Sequence, residues 1–475
     1  MPDKPSKLEK VPSGVFGLDQ ILEGGLPKGR PILVAGRAGC GKTVLAMEFL
    51  VRGAVEHGEP GVFMTFEETG ADLEKNFASL GFDLSDLIAR KLLVVDHVRI
   101  ERSEVEGAGD YDLEGLFIRL DAAIMAVGAK RVALDTIESL FAGLQNAAIL
   151  RAELRRLFLW LKDRGVTTII TGEAGQATNV TRQGLEEYVS DCVILLDHRV
   201  TDQLSTRRLR IAKYRGSAHG TNEYPFVIDE HGISIMPITS IRADYATSDE
   251  RVSTGVPRLD VMFDGKGWYR GSSILVSGSA GTGKTTLAAH FADATCARGE
   301  RCLYLAFEEP PSQVLRNMKS AGLDLARWVD AGLLRIHAAR PTLTGLESHL
   351  VGMQVLASVF KPHAVVADSA TALISQGSGD DVRAMLSRLI DVLKGNLATF
   401  FCTTLTYEDE PFDRSSVAMS SLVDTWISLR NREIGGERQR VLTIIKSRGI
   451  AHSNQTRKYE LTSEGFTLAR VGQQT

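Results

Sequence analysis

Pro31-Ile32-Leu33-Val34-Ala35 runs directly into Gly36-Arg37-Ala38-Gly39-Cys40-Gly41-Lys42-Thr43. An apolar run ending in G-x-x-x-x-G-K-[ST] predicts a buried strand that feeds a phosphate-binding loop and then a helix. The glycines let backbone N–H groups turn inward around a triphosphate. The lysine reaches the outer phosphates, and the threonine hydroxyl can hold Mg²⁺. The pattern returns as Gly278-Ser279-Ala280-Gly281-Thr282-Gly283-Lys284-Thr285. ATP and Mg²⁺ are therefore expected at two sites. Gly39, Cys40, Gly41, Lys42, Thr43 and Val44 line the first, and Gly281, Thr282, Gly283, Lys284, Thr285 and Thr286 the second.

Working outward, the two halves repeat each other. Val11-Pro12-Ser13-Gly14-Val15 matches Val252-Ser253-Thr254-Gly255-Val256. Lys42 matches Lys284, an offset of 284 − 42 = 242, and Phe66-Glu67-Glu68 matches Phe307-Glu308-Glu309 at 241. Asp135 matches Asp368, and Lys213-Tyr214-Arg215-Gly216 matches Lys446-Ser447-Arg448-Gly449, both at 233. One loop match could arise by chance, but a loop match joined by the co-linear glutamate pair, strand-end aspartate and K-x-R-G segment indicates a duplicated domain. The expected division is residues 1–241, a polar linker at 242–251, and residues 252–475.

Each half alternates strand and helix. In the first, Gly61–Phe66, Arg131–Asp135 and Val166–Thr171 read as further strands, with a helix over Thr43–Ala54. This is the pattern of an α/β fold with a mostly parallel sheet flanked by helices. Val189–Leu196 and Arg207–Ala212 are expected to extend the sheet antiparallel.

The duplicated polar residues suggest chemistry. Thr43 with Asp135, and Thr285 with Asp368, are the expected metal groups, because a carboxylate closing a strand downstream of such a loop can orient the ion's water shell. Glu67-Glu68 and Glu308-Glu309 follow the next strand, whose carboxyl end should border the ligand crevice. A glutamate there can polarise a water or hydroxyl in line with the γ-phosphate. Spacing alone leaves open which member of each pair acts. Lys213, Arg215, Lys446 and Arg448 lie far down the chain from their own loops and read as fingers reaching a neighbouring subunit's phosphate. That reading requires an oligomer.

Bulk properties narrow the class. A chain of 475 residues with 44% hydrophobic and 24% charged residues suits two soluble domains. The net charge of −4 offers no general attraction for nucleic acid or anionic membrane. No apolar run is long enough to span a bilayer, and the first residues lack the apolar core of a signal peptide. Five scattered cysteines without a C-x-x-C pair fit a reducing cytoplasm.

These motifs, with Gly61–Thr69 and Gly220–Phe226, resemble the KaiC family of clock proteins within the RecA-like ATPases, over nearly the whole chain. The resemblance implies tandem RecA-like domains in a double-ring homohexamer with ATP between subunits. It implies a slow ATPase in the first ring. In the second, it implies autophosphorylation and dephosphorylation on two adjacent hydroxyl residues, which fall on Ser420 and Ser421. The serine pair has no counterpart in the first half, where Glu187 and Tyr188 stand. Further nucleotide contacts implied by the family fall on Arg207, Arg440, Ser79, Ser217, His219 and His452, and a KaiB-like partner is implied as well.

The chain also departs from the family. Ser421 replaces a threonine, Ala321 an aromatic residue, and Ile450 a hydroxyl residue. The given sequence stops at Thr475, short of the tail on which the family docks KaiA, which puts the expectation of KaiA docking in doubt. Two other readings compete with the autokinase: a nucleotide-gated scaffold and a RecA-like nucleic-acid motor. For the motor, the sequence offers no zinc finger, basic tail or basic-aromatic stripe.

Overall fold

The computed structural model describes residues 8–98, 113–140, 147–175, 190–201, 204–236, 247–339, 345–376, 379–406, 421–434 and 437–469. It forms two compact units, Met1–Ser240 and Ile241–Thr475. Ser420, one of the expected acceptor serines, lies outside the described residues, as do Glu187 and Tyr188.

The first unit is built on a nine-stranded sheet. In chain order its strands are β1 (Pro31–Gly36), β2 (Gly61–Thr65), β3 (Leu93–His97), β4 (Arg131–Asp135), β5 (Thr167–Glu173), β6 (Cys192–Thr201), β7 (Leu204–Tyr214), β8 (Glu223–Asp229) and β9 (Gly232–Ile235). In space they run β3-β2-β4-β5-β1-β6-β7-β8-β9. The six from β3 to β6 pair in parallel, and β7, β8 and β9 complete the sheet antiparallel. Strand β1 is central and shows why its sequence is apolar throughout: Ile32, Leu33, Val34 and Ala35 are all fully buried. Alternate residues serve opposite faces. On β2, Phe63 joins the core under the loop helix, while Val62 and Met64 join the core on the other side.

The second unit repeats the design. Its strands are β10 (Ser273–Gly278), β11 (Cys302–Ala306), β12 (Leu334–Ala338), β13 (Ala364–Asp368), β14 (Thr399–Leu405), β15 (Thr425–Ile434), β16 (Glu437–Ser447), β17 (Arg457–Thr462) and β18 (Gly465–Leu468). Their order is β12-β11-β13-β14-β10-β15-β16-β17-β18, which matches the first unit strand for strand. In each unit a short two-stranded ribbon precedes the loop: Lys10–Val11 pairs with Leu26–Pro27, and Arg251–Val252 with Trp268–Tyr269. Arg251, expected at the end of a linker, is therefore part of a strand.

The helices that matter for the site are α1 (Lys42–His57), α2 (Gly70–Ala78), α3 (Lys284–Ala297) and α4 (Pro311–Ser320). α1 buries Leu45, Ala46, Phe49, Leu50 and Ala54 against the sheet. Each large apolar side chain so buried contributes about 1.5–3 kcal/mol. Cys40, Cys192, Cys296, Cys302 and Cys402 are buried, with free thiols.

Candidate nucleotide site

In both units the phosphate-binding loop sits at the carboxyl end of a central strand, where helix α1 or α3 begins. Strands on its two sides are reached by separate crossovers, the position at which open α/β sheets bind ligands. Gly41 holds φ 103° and Gly283 φ 81°. A Cβ on Gly41 would lie 2.7 Å from Ile228 Cδ1, and one on Gly283 2.8 Å from Leu461 Cδ1. The left-handed backbone angle is what calls for glycine at both positions, since the facing atoms are side-chain ends that can give way. The N–H groups of the first helical turn point toward the loop, a natural anion cradle.

Lys42 is mostly buried and donates to the carbonyls of Gly36 at 2.9 Å and Arg37 at 3.1 Å. Lys284 does the same to Gly278 at 2.8 Å and Ser279 at 2.9 Å. Burial lowers the Lys284 pKa, with Asp368 and Glu308 acting in the opposite sense. Both ammonium groups thus cap the loop they belong to.

The structure brings Thr43 and Asp135 together: the Thr43 hydroxyl donates to Asp135 Oδ2 at 2.9 Å. The other carboxylate oxygen, Oδ1, accepts from the Thr171 hydroxyl on β5. Burial raises the Asp135 pKa, opposed by these two hydroxyls. In the second unit Asp368 Oδ1 likewise accepts from Thr403 on β14, but Oδ2 accepts from the Tyr304 hydroxyl at 2.8 Å. The peptide bonds Asp135–Thr136 and Asp368–Ser369 are both cis.

The glutamate pairs, equivalent by spacing, are separated by geometry. Glu67 Oε1 accepts from the hydroxyls of Thr136 and Ser139, each at 2.9 Å, which turns it toward the strand end that carries Asp135. Glu308 is hydrogen-bonded by Ser369, and burial followed by the Asp368 charge raises its pKa. Glu68 and Glu309 turn the other way. Asn76 on α2 donates to Glu68 at 3.1 Å, and Asn317 on α4 donates to Glu309 at 3.2 Å. The first glutamate of each pair therefore faces the loop, and the second faces a helix.

The basic residues expected to act as fingers lie elsewhere. Tyr214, at the end of β7, pairs with Cys192 at the start of β6, and Cys192 pairs with Ile32 on β1. The phosphate-binding loop leaves β1 at Gly36, four residues further on, so Lys213 and Arg215 sit at the opposite edge of the sheet, roughly 13 Å or more along the strand direction. Arg215 packs over Asp191 at 3.8 Å with its side chain 54% exposed. Arg448 repeats this over Asp424 at 4.0 Å, 57% exposed. Burial, and then Arg448, lower the Lys446 pKa. Ser217 and His219 are on the same edge: Lys10 donates to the Ser217 hydroxyl at 2.7 Å, and the His219 ring lies 6.3 Å from Tyr214. His452 sits beside Ile450 in the second unit, its ring in contact with the Ile450 carbonyl. Open cavities of about 560 Å³ and 500 Å³ lie beside Arg215 and Arg448 respectively.

Other candidates divide between the edges. Arg207 and Arg440, on β7 and β16, pair with His198 and Asn431 at the loop end of their sheets. Asn431 in turn contacts Ser279 of the loop. Ser79 caps α2, where its hydroxyl donates to Asn76. Ser421 is exposed just before β15, at the same edge as Arg448. Arg383 donates to its hydroxyl at 3.1 Å and Arg448 to its carbonyl at 3.0 Å.

Several contributing residues escaped the sequence reading. Thr171 and Thr403, Thr136 and Ser369, and Asn76 and Asn317 occupy matching places in the two halves. Extending the internal comparison to every polar residue would have found them. Tyr304 has no such signal, because its counterpart is Phe63.

Fold and site together define a tandem RecA-like ATPase, with one P-loop in each of two matching domains. A family model described as "ATPase: KaiC" matches residues 11–240 and again 252–471. The chain belongs to this KaiC ATPase family. It is 55% identical to the circadian clock protein KaiC2 of Synechocystis sp. over 463 residues, covering 97% of this chain and 81% of that protein. It is 38% identical to the circadian clock oscillator protein KaiC of Parathermosynechococcus lividus, covering 98% and 86%. Against the protein of the same name from Synechococcus elongatus the identity is 37%, covering 96% and 88%.

Proposed function

We propose that the chain is a cytoplasmic, clock-type ATPase and autokinase working as a double-ring homohexamer. In each ring, a nucleotide on one copy's P-loop is completed by the finger edge of the next copy. The observation that carries this reading is the placement of Lys213 and Arg215, and of Lys446 and Arg448, at the sheet edge away from their own loops. That placement keeps them from their own loop's phosphate and so supports a role at another copy's. A KaiB-like partner is part of the same proposal, by family analogy. Among the described residues no helix is long and apolar enough to cross a membrane.

The donor set suits Mg²⁺. Each site offers one hydroxyl, Thr43 or Thr285, and one carboxylate, Asp135 or Asp368. Among the described residues no cluster of three or more His, Cys, Asp or Glu could hold an ion by itself. That fits a cation that keeps water and phosphate oxygens as most of its ligands. When bound, Mg²⁺ neutralises charge on the β- and γ-phosphates.

The chain's own residues do the rest. Lys42 or Lys284 leaves its loop carbonyls for the γ-phosphate, and the neighbour's Lys and Arg face the same oxygens. In the first ring Glu67 takes a proton from water as that oxygen bonds to phosphorus and ADP departs. In the second ring, Glu308 takes the proton of Ser420 or Ser421 while the serine Oγ–P bond forms and the bond to ADP breaks. Burial and Asp368 raise the Glu308 pKa, which strengthens it as a proton acceptor. Ser421 lies at the finger edge of its own domain, so its phosphate comes from the adjacent copy's ATP. A phosphate there adds about −1.5 to −2 charges beside Arg383 and Arg448, enough to rearrange an interface.

Phosphosite mapping by mass spectrometry, after incubation with Mg²⁺ and ATP, tests the reading. Phosphate on Ser420 or Ser421 is expected. An unmodified peptide alongside measurable ATP hydrolysis would replace the autokinase with a nucleotide-gated scaffold.

A further inference from the structure

The two metal carboxylates are held by different hands. In the first domain, Asp135 takes one hydrogen bond from Thr171 below and one from Thr43, which belongs to the phosphate-binding loop itself. In the second domain, Thr403 repeats the lower bond, but the other oxygen of Asp368 is bound by Tyr304. Strand register makes the contrast a direct substitution. Ala306 pairs with Asp368 and Thr65 with Asp135, so two residues earlier Tyr304 and Phe63 occupy the same place. Both rings are fully buried. The one chemical difference between them is the phenolic hydroxyl, and it reaches the carboxylate expected to face the metal.

We infer that Tyr304 is a positioning residue for the second nucleotide site. It fixes Asp368 from within the sheet, so that the orientation of this carboxylate does not depend on Thr285. The inference rests on the metal reading of Asp368 given above. In the first domain one loop hydroxyl must both steady the carboxylate and offer its lone pair to the cation. In the second, those tasks fall to two residues, and Thr285 is left to the cation alone. Carboxylates at metal sites are oriented by such outer partners, and losing one typically lowers metal affinity about 10–100-fold. The two rings of one chain would thereby differ in how firmly each retains its cation, through a residue that never touches nucleotide.

Tyr304→Phe is the direct test, since Phe63 shows that this fold accepts phenylalanine at the position. Mg²⁺ is titrated into the full chain carrying Lys42→Ala and loaded with a non-hydrolysable ATP analogue, so that the second site dominates the signal. Tyr304→Phe is expected to weaken Mg²⁺ binding by about tenfold or more. Nucleotide affinity and the thermal midpoint, both measured in EDTA, should stay near those of the parent, which separates positioning from loss of packing. Mg²⁺ affinity within twofold of the parent, or tighter, overturns the inference. A parent chain whose second site takes nucleotide but no Mg²⁺ overturns the metal reading of Asp368 itself.

Discussion

Replacing Glu67 with glutamine asks the most of the site geometry. Glu67 Oε1 accepts from Thr136 and Ser139, both at 2.9 Å. A glutamine carbonyl can accept both bonds, so Glu67→Gln keeps the side chain in place and removes only its ability to take a proton. General-base catalysis contributes about 10²–10⁴ in rate, or roughly 2.7–5.5 kcal/mol of barrier. Turnover at the first nucleotide site should fall by that factor with nucleotide affinity unchanged. The neighbouring Glu68→Gln is the internal control. The Glu68 carboxylate accepts from Asn76 of α2 at 3.1 Å, in an exposed contact. A contact of that kind is worth about 1 kcal/mol at most, a factor of about five or less. The assay is steady-state ATP hydrolysis by the full chain carrying Lys284→Ala, so that the first site supplies the signal. Equal losses for the two variants, or a larger loss for Glu68→Gln, would refute the assignment of the inward glutamate as base.

Further predictions concern the hairpins that pack on the loop helices. His290 on α3 accepts the Phe466 N–H at 2.9 Å through Nε2, and burial lowers its pKa. The folded domain therefore binds the proton less readily than the unfolded chain. Stability of the second domain should fall as pH drops below the ordinary histidine value of about 6.5, and His290→Gln should flatten that slope in urea melts at pH 7.5 and 5.5. Glu48 holds the matching place on α1 with the opposite sign. It accepts the Ile233 N–H at 2.7 Å, and burial pushes its pKa up to about 7. Its contribution is complete below pH ~4.5 and is lost as pH rises toward 7. Glu48→Gln should remove that loss from the first domain's melts. Gly41→Ala places a Cβ 2.7 Å from Ile228 Cδ1 at φ 103°. The backbone angle alone costs about 1–2 kcal/mol. Fluorescent-nucleotide titration should show loss of first-site binding, with the second site intact.

The fold was legible in the sequence because the buried parallel strands write their signature without interruption. Ile32–Ala35 and Val132–Leu134 are apolar on both faces and could be little else. Duplication then marked the P-loops, strand-end aspartates, glutamate pairs and K-x-R-G segments. Periodicity carries no information about which way a side chain turns, so Glu67 and Glu68 became distinguishable only once Thr136 and Asn76 were placed around them. Strand ends blurred for a similar reason. β7 runs from Leu204 to Tyr214, beyond the expected Arg207–Ala212, because its polar flanks pair with β6 through backbone groups that any residue supplies. Tyr304 stayed hidden because it is the position where the two halves differ, and comparison between repeats finds only what they share.

The proposed sharing of each nucleotide site between two copies can be tested by complementation. Lys42→Ala removes the P-loop cation and Arg215→Ala the finger, at opposite edges of one sheet. Each variant, prepared alone with Lys284→Ala to silence the second site, should hydrolyse ATP poorly. A trans arginine contributes about 10³–10⁵ in rate. Mixed and allowed to exchange subunits, the two variants form interfaces that join an intact loop from one chain to an intact finger from the other. The mixture should recover a substantial fraction of parental hydrolysis. A mixture that hydrolyses no faster than the average of its two components, after subunit exchange has been demonstrated, would contradict it.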